Sequence, residues 1–532
     1  MCAPLPDTHL VTLLAMTPGP DRLAELEARR QEALQAGTPE AVERQHQRGK
    51  LTARERLDLL LDAGSFTELN LLARAPDNGA LHDGARPATD GVVTGWGRVE
   101  GRNVFVFSQD FTVFGGSLGE MFAAKVQNVM DLAARVGAPL IGLNDGAGAR
   151  IQEGVVSLAG YAGIFRRNVA ASGAIPQISV VLGPCAGGAV YSPAMTDYIF
   201  MVEGTSHMFI TGPDVVRAVS GEDVTLEELG GATTHATRSG VATFVSPDER
   251  SCLAEVRRLL SFLPANSLVP PPRAVLSDDP ARTSTELVDV VPDDGSRPYD
   301  VRTVLRAVFD DGDLLEHFDR WAPNLVCALA RLDGHPVGVL ANQPQVLAGV
   351  LDIDSAEKGA RFVRTCDAFN IPLVTFVDVP GFRPGTDQEW GGIIRSGAKL
   401  LYAGCEATVP RVQVVVGKAY GGAWVVMGAK STGSDLVLAW PSARLLVMSP
   451  QGVVEILHHR DLEQASDPAK RRAELVDGYA EAYANPWVAA ERGYVDQVIH
   501  PADTRPVLVE ALAMLRNKRA EVPERRHANV PL

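Results

Sequence analysis

The chain of 532 residues carries one sequence pattern twice. Gly101, Lys125, Pro139 and Asp145 recur as Gly334, Lys358, Pro372 and Asp378 at one common offset (334 − 101 = 233), and Gly187-Gly188 recurs as Gly421-Gly422 one residue later (421 − 187 = 234). A single residue of slippage between Gly101 and Gly187 is what a duplicated domain leaves behind. Two copies also suit the length, which is too great for a single core. The chain divides into a leader with amphipathic helices (1–89), a first copy (90–263), a linker rich in Pro, Asp and Ser (264–298), a second copy (299–515) and a basic, polar arm (516–532).

Within the first copy, Val92–Val99 and Asn103–Ser108 read as a hairpin through Glu100-Gly101. Gly119–Val136 places Phe122, Val126, Val129, Met130 and Ala133 on one helical face, Leu140–Leu143 is a buried strand, and Ile151–Ala170 reads as a further helix. The second copy opens with a helix over Tyr299–Phe309 and follows the same order. Strands alternating with helices give an α/β fold, present in tandem. Ahead of the first copy, Thr52 with Glu55 three residues on has the form of a capping box.

Each copy centres on a strand that ends in a Gly pair and runs into a helix start: GPCAGGAVYSP at Gly183–Pro193 and KAYGGAWVV at Lys418–Val426. The first N–H groups of a helix have no intrahelical acceptor, and glycine admits a ligand close to the backbone, so such a turn can hold an oxyanion. Asp145–Arg150 (DGAGAR) supplies G-x-G but has Ile151 where a dinucleotide fingerprint needs its third Gly, and it reads as a loop opening on the same site. Ala149 and Arg150 are candidates there, with Arg150 either facing an anionic ligand or pairing structurally.

A net charge of −15 argues against nucleic-acid or anionic-membrane partners. The six cysteines are scattered without a C-x-x-C, which supports neither a zinc ribbon nor a disulfide framework and suits a reduced, cytoplasmic protein. The N-terminus lacks the basic segment of a signal peptide, and no uncharged run reads as a membrane helix. There is no H-E-x-x-H, EF-hand or P-loop, and no metal is expected. Two oxyanion turns without an evident acid, base or nucleophile suit proton removal next to a thioester, coupled to a cofactor that bears a carbonyl.

Longer motifs carry a resemblance. GGSLGEMFAAK, LNDGAGARIQEGVVSLAGYA, FITGPDVV and GEDVTLEELGGATTH in the first half, and ARFVRTCDAFNIPLVTFVDVPGF, PGTDQEWGGIIRSGAKLLYA and KAYGGAW in the second, resemble the carboxyltransferase (β) subunits of biotin-dependent acyl-CoA carboxylases, propionyl-CoA carboxylase β chains above all. The resemblance implies two crotonase-like (ββα-spiral) domains, the first on the acyl-CoA side and the second on the biotin side, with each site built between two subunits of a hexamer. It further implies that Gly187 and Gly188 hold the thioester enolate while Gly422 and Ala423 hold the ureido oxygen of biotin, which itself takes the substrate proton. No ATP-grasp signature or A-M-K-M biotin-attachment sequence occurs, so the biotin belongs on a partner, a biotinylated α subunit. Three departures from the family pattern stand out. Trp424-Val425 replaces Tyr-Asp at positions tied to acyl-chain choice, Gly417 replaces Arg, and Ser449-Pro450 replaces Gly-Ala. The expected activity is carboxyl transfer to a short- or medium-chain acyl-CoA, with a decarboxylase subunit or a non-catalytic assembly paralogue as alternatives.

Overall fold

The computed structural model describes residues 21–77, 86–275, 278–292 and 297–531. The expected loose leader before Asp21 lies outside the described residues.

The first sheet comprises β1 (Thr67–Leu69), β2 (Val92–Val99), β3 (Arg102–Gln109), β4 (Leu140–Gly146), β5 (Gln177–Ala186), β6 (Tyr198–Val202), β7 (His207–Phe209) and β8 (Phe244–Ser246). Its order is β1-β2-β3-β4-β5-β6-β8, with β7 paired to the far end of β5. The second comprises β9 (Leu315–His317), β10 (Leu325–Leu332), β11 (His335–Asn342), β12 (Leu373–Val379), β13 (Arg411–Tyr420), β14 (Leu436–Ala439), β15 (Arg444–Leu446) and β16 (Gln497–Val498). Its order, β9-β10-β11-β12-β13-β14-β16 with β15 on the far end of β13, repeats the first strand for strand. In each sheet an antiparallel hairpin leads into parallel strands. The strands buried on both faces read as near-continuous apolar runs, as in VVLGPC and in VQVVV, where Gln413 alone is polar.

Helix Glu120–Val136 and its counterpart Ile353–Ala368 connect the hairpins to the central strands. Both bury a lysine. The Lys125 ammonium donates to the carbonyls of Thr89 (3.0 Å) and Val92 (2.5 Å), and that of Lys358 to those of Phe318 (2.9 Å) and Trp321 (3.0 Å). Burial lowers the Lys125 ammonium to a pKa of about 8. The expected helix over 151–170 is divided: Ile151–Glu153 is a 3-10 turn, Gly154 takes φ +58°, and the α-helix proper is Val155–Ala171. Thr52 and Glu55 form the reciprocal capping box.

The two copies share a hydrophobic core. At their junction His317 of the second copy stands edge-on to Tyr198 (5.5 Å) and Phe244 (5.0 Å) of the first and to Phe362 (5.1 Å) of its own. Complete burial lowers its imidazole to a pKa of about 3. Segment 278–292 is not an open tether, because Leu287 and Val291 are buried in the core of the second copy.

Candidate active site

The chemistry of both copies collects where the parallel strands end. At the close of β4 and β12 the register slips by a bulge, between Asn144 and Gly146 and between Val377 and Val379, and each bulge carries a buried aspartate, Asp145 or Asp378. The adjacent strand makes room with glycine. A Cβ on Gly183 would stand 2.0 Å from Asp145 Oδ1, and one on Gly417 2.5 Å from Asp378 Cγ.

The copies treat the same carboxylate differently. Asp145 receives Lys50 Nζ (2.6 Å), Arg56 Nη2 (2.9 Å) and Gln45 Nε2 (2.9 Å), all from the helical segment that precedes the first copy. Arg56 is completely buried and also forks onto Glu249 (2.8 and 2.7 Å). These side chains bolt the N-terminal helices to the rear of the first Gly turn. Asp378 accepts instead from the Lys418 amide (2.9 Å) and the Tyr299 hydroxyl (3.1 Å), and burial raises its pKa. Asp378, Tyr299 and Gly417 line a cavity of about 240 Å³.

Three residues beyond Gly183 and Gly417 the strands end and the turns begin. Gly187 (φ +63°) and Gly421 (φ +58°) occupy the left-handed region, which suits glycine. A carbonyl stands close behind the second, where a Cβ on Gly421 would lie 2.9 Å from Val447 O, whereas one on Gly187 would meet Ile210 O only at an ordinary 3.9 Å. Gly188 and Gly422 face open space, and a Cβ on either would meet nothing within 4 Å. Ala189 and Ala423 are buried beneath. The chain then enters helical turns over Gly187–Val190 and Gly421–Val426. The amides of Gly188, Ala189, Gly422 and Ala423 are first-turn donors, and among the described residues no loop carbonyl or side chain accepts from them. Each turn is a cradle of unused N–H groups open on one side, which is what a carbonyl oxygen gaining negative charge requires. The ureido oxygen of biotin is an acceptor of that kind, and the cradle at Gly422 and Ala423 has the donors and the room for it. Ala189, the repeat partner of Ala423, is not singled out by composition or motif; aligning the two copies brings it in.

The remaining candidates separate. The Arg150 guanidinium is buried and bonded to Asp90 Oδ1 (2.7 Å), Glu153 Oε1 (2.8 Å) and the Ser117 carbonyl (2.8 Å), so of its two readings the structural one describes the side chain. Ala149 bridges to Leu118, and Gly148 beside it abuts the Ala186 carbonyl, which sets this loop against the first turn. Trp424 points inward: its Nε1 donates to Gln413 Oε1 (3.0 Å) and its ring packs on the core. That orientation leaves half-buried Val425 as the side chain of the pair lying outside the core cluster. Ser449-Pro450 is a regular helix start, since the Ser449 hydroxyl accepts from the Gly452 amide (3.2 Å) and Pro450 takes the first position. Among the described residues no group of His, Cys, Asp and Glu could hold a metal ion, and no helix is long and apolar enough to cross a membrane.

A family model described as the carboxyl transferase domain matches residues 44–530. The chain belongs to this family. It is an enzyme, a carboxyltransferase, built as two tandem crotonase-like domains. It is 56% identical to the propionyl-CoA carboxylase carboxyltransferase subunit of Haloferax mediterranei, over 96% of this chain and 99% of that protein. It is 50% identical to the methylmalonyl-CoA decarboxylase subunit alpha of Propionigenium modestum, over 96% and 99%. The solved transcarboxylase 12S, described as a hexamer with methylmalonyl-coenzyme A and methylmalonic acid bound, superposes with a TM-score of 0.93 at 48% identity, covering 96% of this chain and 98% of that one.

Proposed function

We propose that this chain transfers a carboxyl group, supplied by biotin on a separate protein, to the α-carbon of a short-chain acyl-CoA, with propionyl-CoA as a principal substrate. The observation that carries the reading is the matched pair of open amide turns, one per copy, at equivalent strand ends. The amides of Gly187 and Gly188 hold the thioester oxygen as it gains enolate charge, and those of Gly422 and Ala423 hold the ureido oxygen. Each donor contributes about 3 kcal/mol of barrier lowering. Val425 stands at the turn as an apolar wall beside the reacting groups.

Exposed apolar side chains in both repeats support assembly into a hexamer in which the first turn of one chain faces the second turn of another. Ile151 (88% exposed) and Val219 (83%) in the first copy, and Trp390 (85%), Ile394 (77%) and Val447 (72%) in the second, would otherwise stand in water. The similarity to the Propionigenium modestum decarboxylase subunit favours one second reading, the same half-reaction run in reverse.

The test is fixation of labelled bicarbonate into acyl-CoA with ATP. The purified chain alone should give no product, and adding a biotinylated biotin-carboxylase partner should give carboxylated acyl-CoA. Turnover without a biotinyl protein would refute the reading. A partner that restores only loss of CO2 from methylmalonyl-CoA would establish the reverse one.

A further inference from the structure

The Gly turns lie where the parallel strands end. At the opposite end of the second sheet, where β11, β12 and β13 begin, a groove of about 970 Å³ runs between segment 267–273 and the helix Thr504–Leu515 with its continuation to Val522. That volume is in the range of small-molecule sites. Val269 and Pro270 form one wall, Val509 and Leu512 the other, and Val337 and Val409 the floor. The rim is cationic in a protein of net charge −15. Two of its charges are engaged: Lys518 Nζ binds Asp435 (2.8 Å) and the Val409 carbonyl (3.0 Å), and Arg273 binds Asp333 (2.9 Å). Arg516 and Arg519 are exposed and have no ion-pair partner among the described residues. Beside them His335 Nε2 is buried without a hydrogen-bond partner among those residues. Burial, with the charges of Arg516 and Arg273 nearby, holds that imidazole below its usual range and therefore neutral. Cations that outnumber their carboxylates, set along an aliphatic trough, complement an anionic head joined to an apolar tail.

We propose that this groove binds a medium-chain fatty carboxylate, its head group between Arg516 and Arg519 and its tail along Val409, Val509 and Leu512. The site is separate from the amide turns, so occupancy leaves both free. It does not depend on the acyl group that the enzyme carboxylates.

Isothermal titration of the assembled full-length protein with decanoate, in the presence of saturating coenzyme A, tests this. Decanoate should bind at about one site per chain, with affinity falling about three- to fourfold for each methylene removed, so that butanoate gives no signal. Decylamine, with the same tail and opposite charge, should not bind. The double substitution Arg516→Glu, Arg519→Glu should weaken decanoate at least tenfold while leaving carboxyl transfer unchanged. The proposal is overturned if the assembled wild-type protein takes up no decanoate, as it would if a neighbouring copy or a protein segment filled the groove. Equal binding of decylamine, competition by coenzyme A, or indifference to the double charge reversal would overturn it as well.

Discussion

Gly183 and Gly188 lie five residues apart, and replacing each by alanine should produce opposite defects. At Gly183 the new methyl would stand 2.0 Å from Asp145 Oδ1 and 2.5 Å from Lys50 Nζ, inside an ion pair whose side chains are 0% and 6% exposed. The pair has to separate, and opening a buried ion pair costs about 3–5 kcal/mol. At about 2–4 °C per kcal/mol for a domain of this size, Gly183→Ala should melt roughly 10 °C below the parent. At Gly188 the backbone is outside the left-handed region and the methyl meets nothing within 4 Å, so stability should change by less than about 0.5 kcal/mol. That open space is where the thioester oxygen must approach. Alanine keeps the N–H, but its methyl holds the oxygen away from it, so Gly188→Ala should lower kcat about 10²–10³-fold, the size of effect that losing one oxyanion donor has, or about 2.7–4 kcal/mol. Thermal unfolding and steady-state kinetics of the two variants, assembled with the same biotinylated partner, separate the effects. Near-normal turnover by Gly188→Ala would remove the first turn from the mechanism. An unchanged melting temperature for Gly183→Ala would show that the Asp145 cluster does not hold the N-terminal helices.

Val425→Asp should narrow the acyl range towards propionyl-CoA, whereas the parent should differ only a few-fold per carbon, as about 0.8 kcal/mol per methylene dictates; kcat/KM from acetyl- to octanoyl-CoA reads this out. Trp424→Phe should lose about 1–3 kcal/mol of stability, because Gln413 Oε1 is left unpaired, with an unchanged acyl profile; denaturant unfolding and the same substrate panel test both halves. His317, lowered to about 3 in the folded chain, takes up its proton only on unfolding, so the unfolded state binds more protons between about pH 6.5 and pH 3. Its contribution is complete above about pH 6.5 and declines by up to about 1.4 kcal/mol per unit as pH falls, near 2 kcal/mol by pH 5. His317→Phe keeps the ring among Tyr198, Phe244 and Phe362 and should flatten the acid limb of stability against pH; an unaltered acid limb would contradict the buried, neutral imidazole.

What was legible in the sequence followed from repetition. β2, β3 and β4 recur as β10, β11 and β12 at the offset of the matched Gly, Lys, Pro and Asp residues, and β5 recurs as β13 at the offset of the Gly pairs. A strand with a counterpart at the same distance is specified twice, so hairpins, central strands and both turns could be placed. β1 and β7 are three residues each, too short to carry a period, and they take shape only by pairing with longer neighbours. The Lys50 and Arg56 contacts to Asp145 had no local signal, because they join positions far apart in the chain and have no repeat partner around Asp378. Trp424 illustrates a different limit. Motif comparison identified its position, but its direction is decided by Gln413 in the strand behind it.

Each chain carries one Gly turn of each kind, and that arrangement has a genetic consequence. If sites form between copies, a chain inactivated only at Gly188 still contributes a sound second turn, and a chain inactivated only at Gly422 still contributes a sound first turn. Co-expressing the two defective alleles should therefore recover activity in mixed assemblies, although neither allele works alone. A dimer containing one copy of each would have one intact site and one doubly damaged site. Random mixing makes half of the dimers of that kind, so intragenic complementation should plateau near a quarter of the parental rate. Full silence of the mixed population would mean that both turns of a working site come from a single chain.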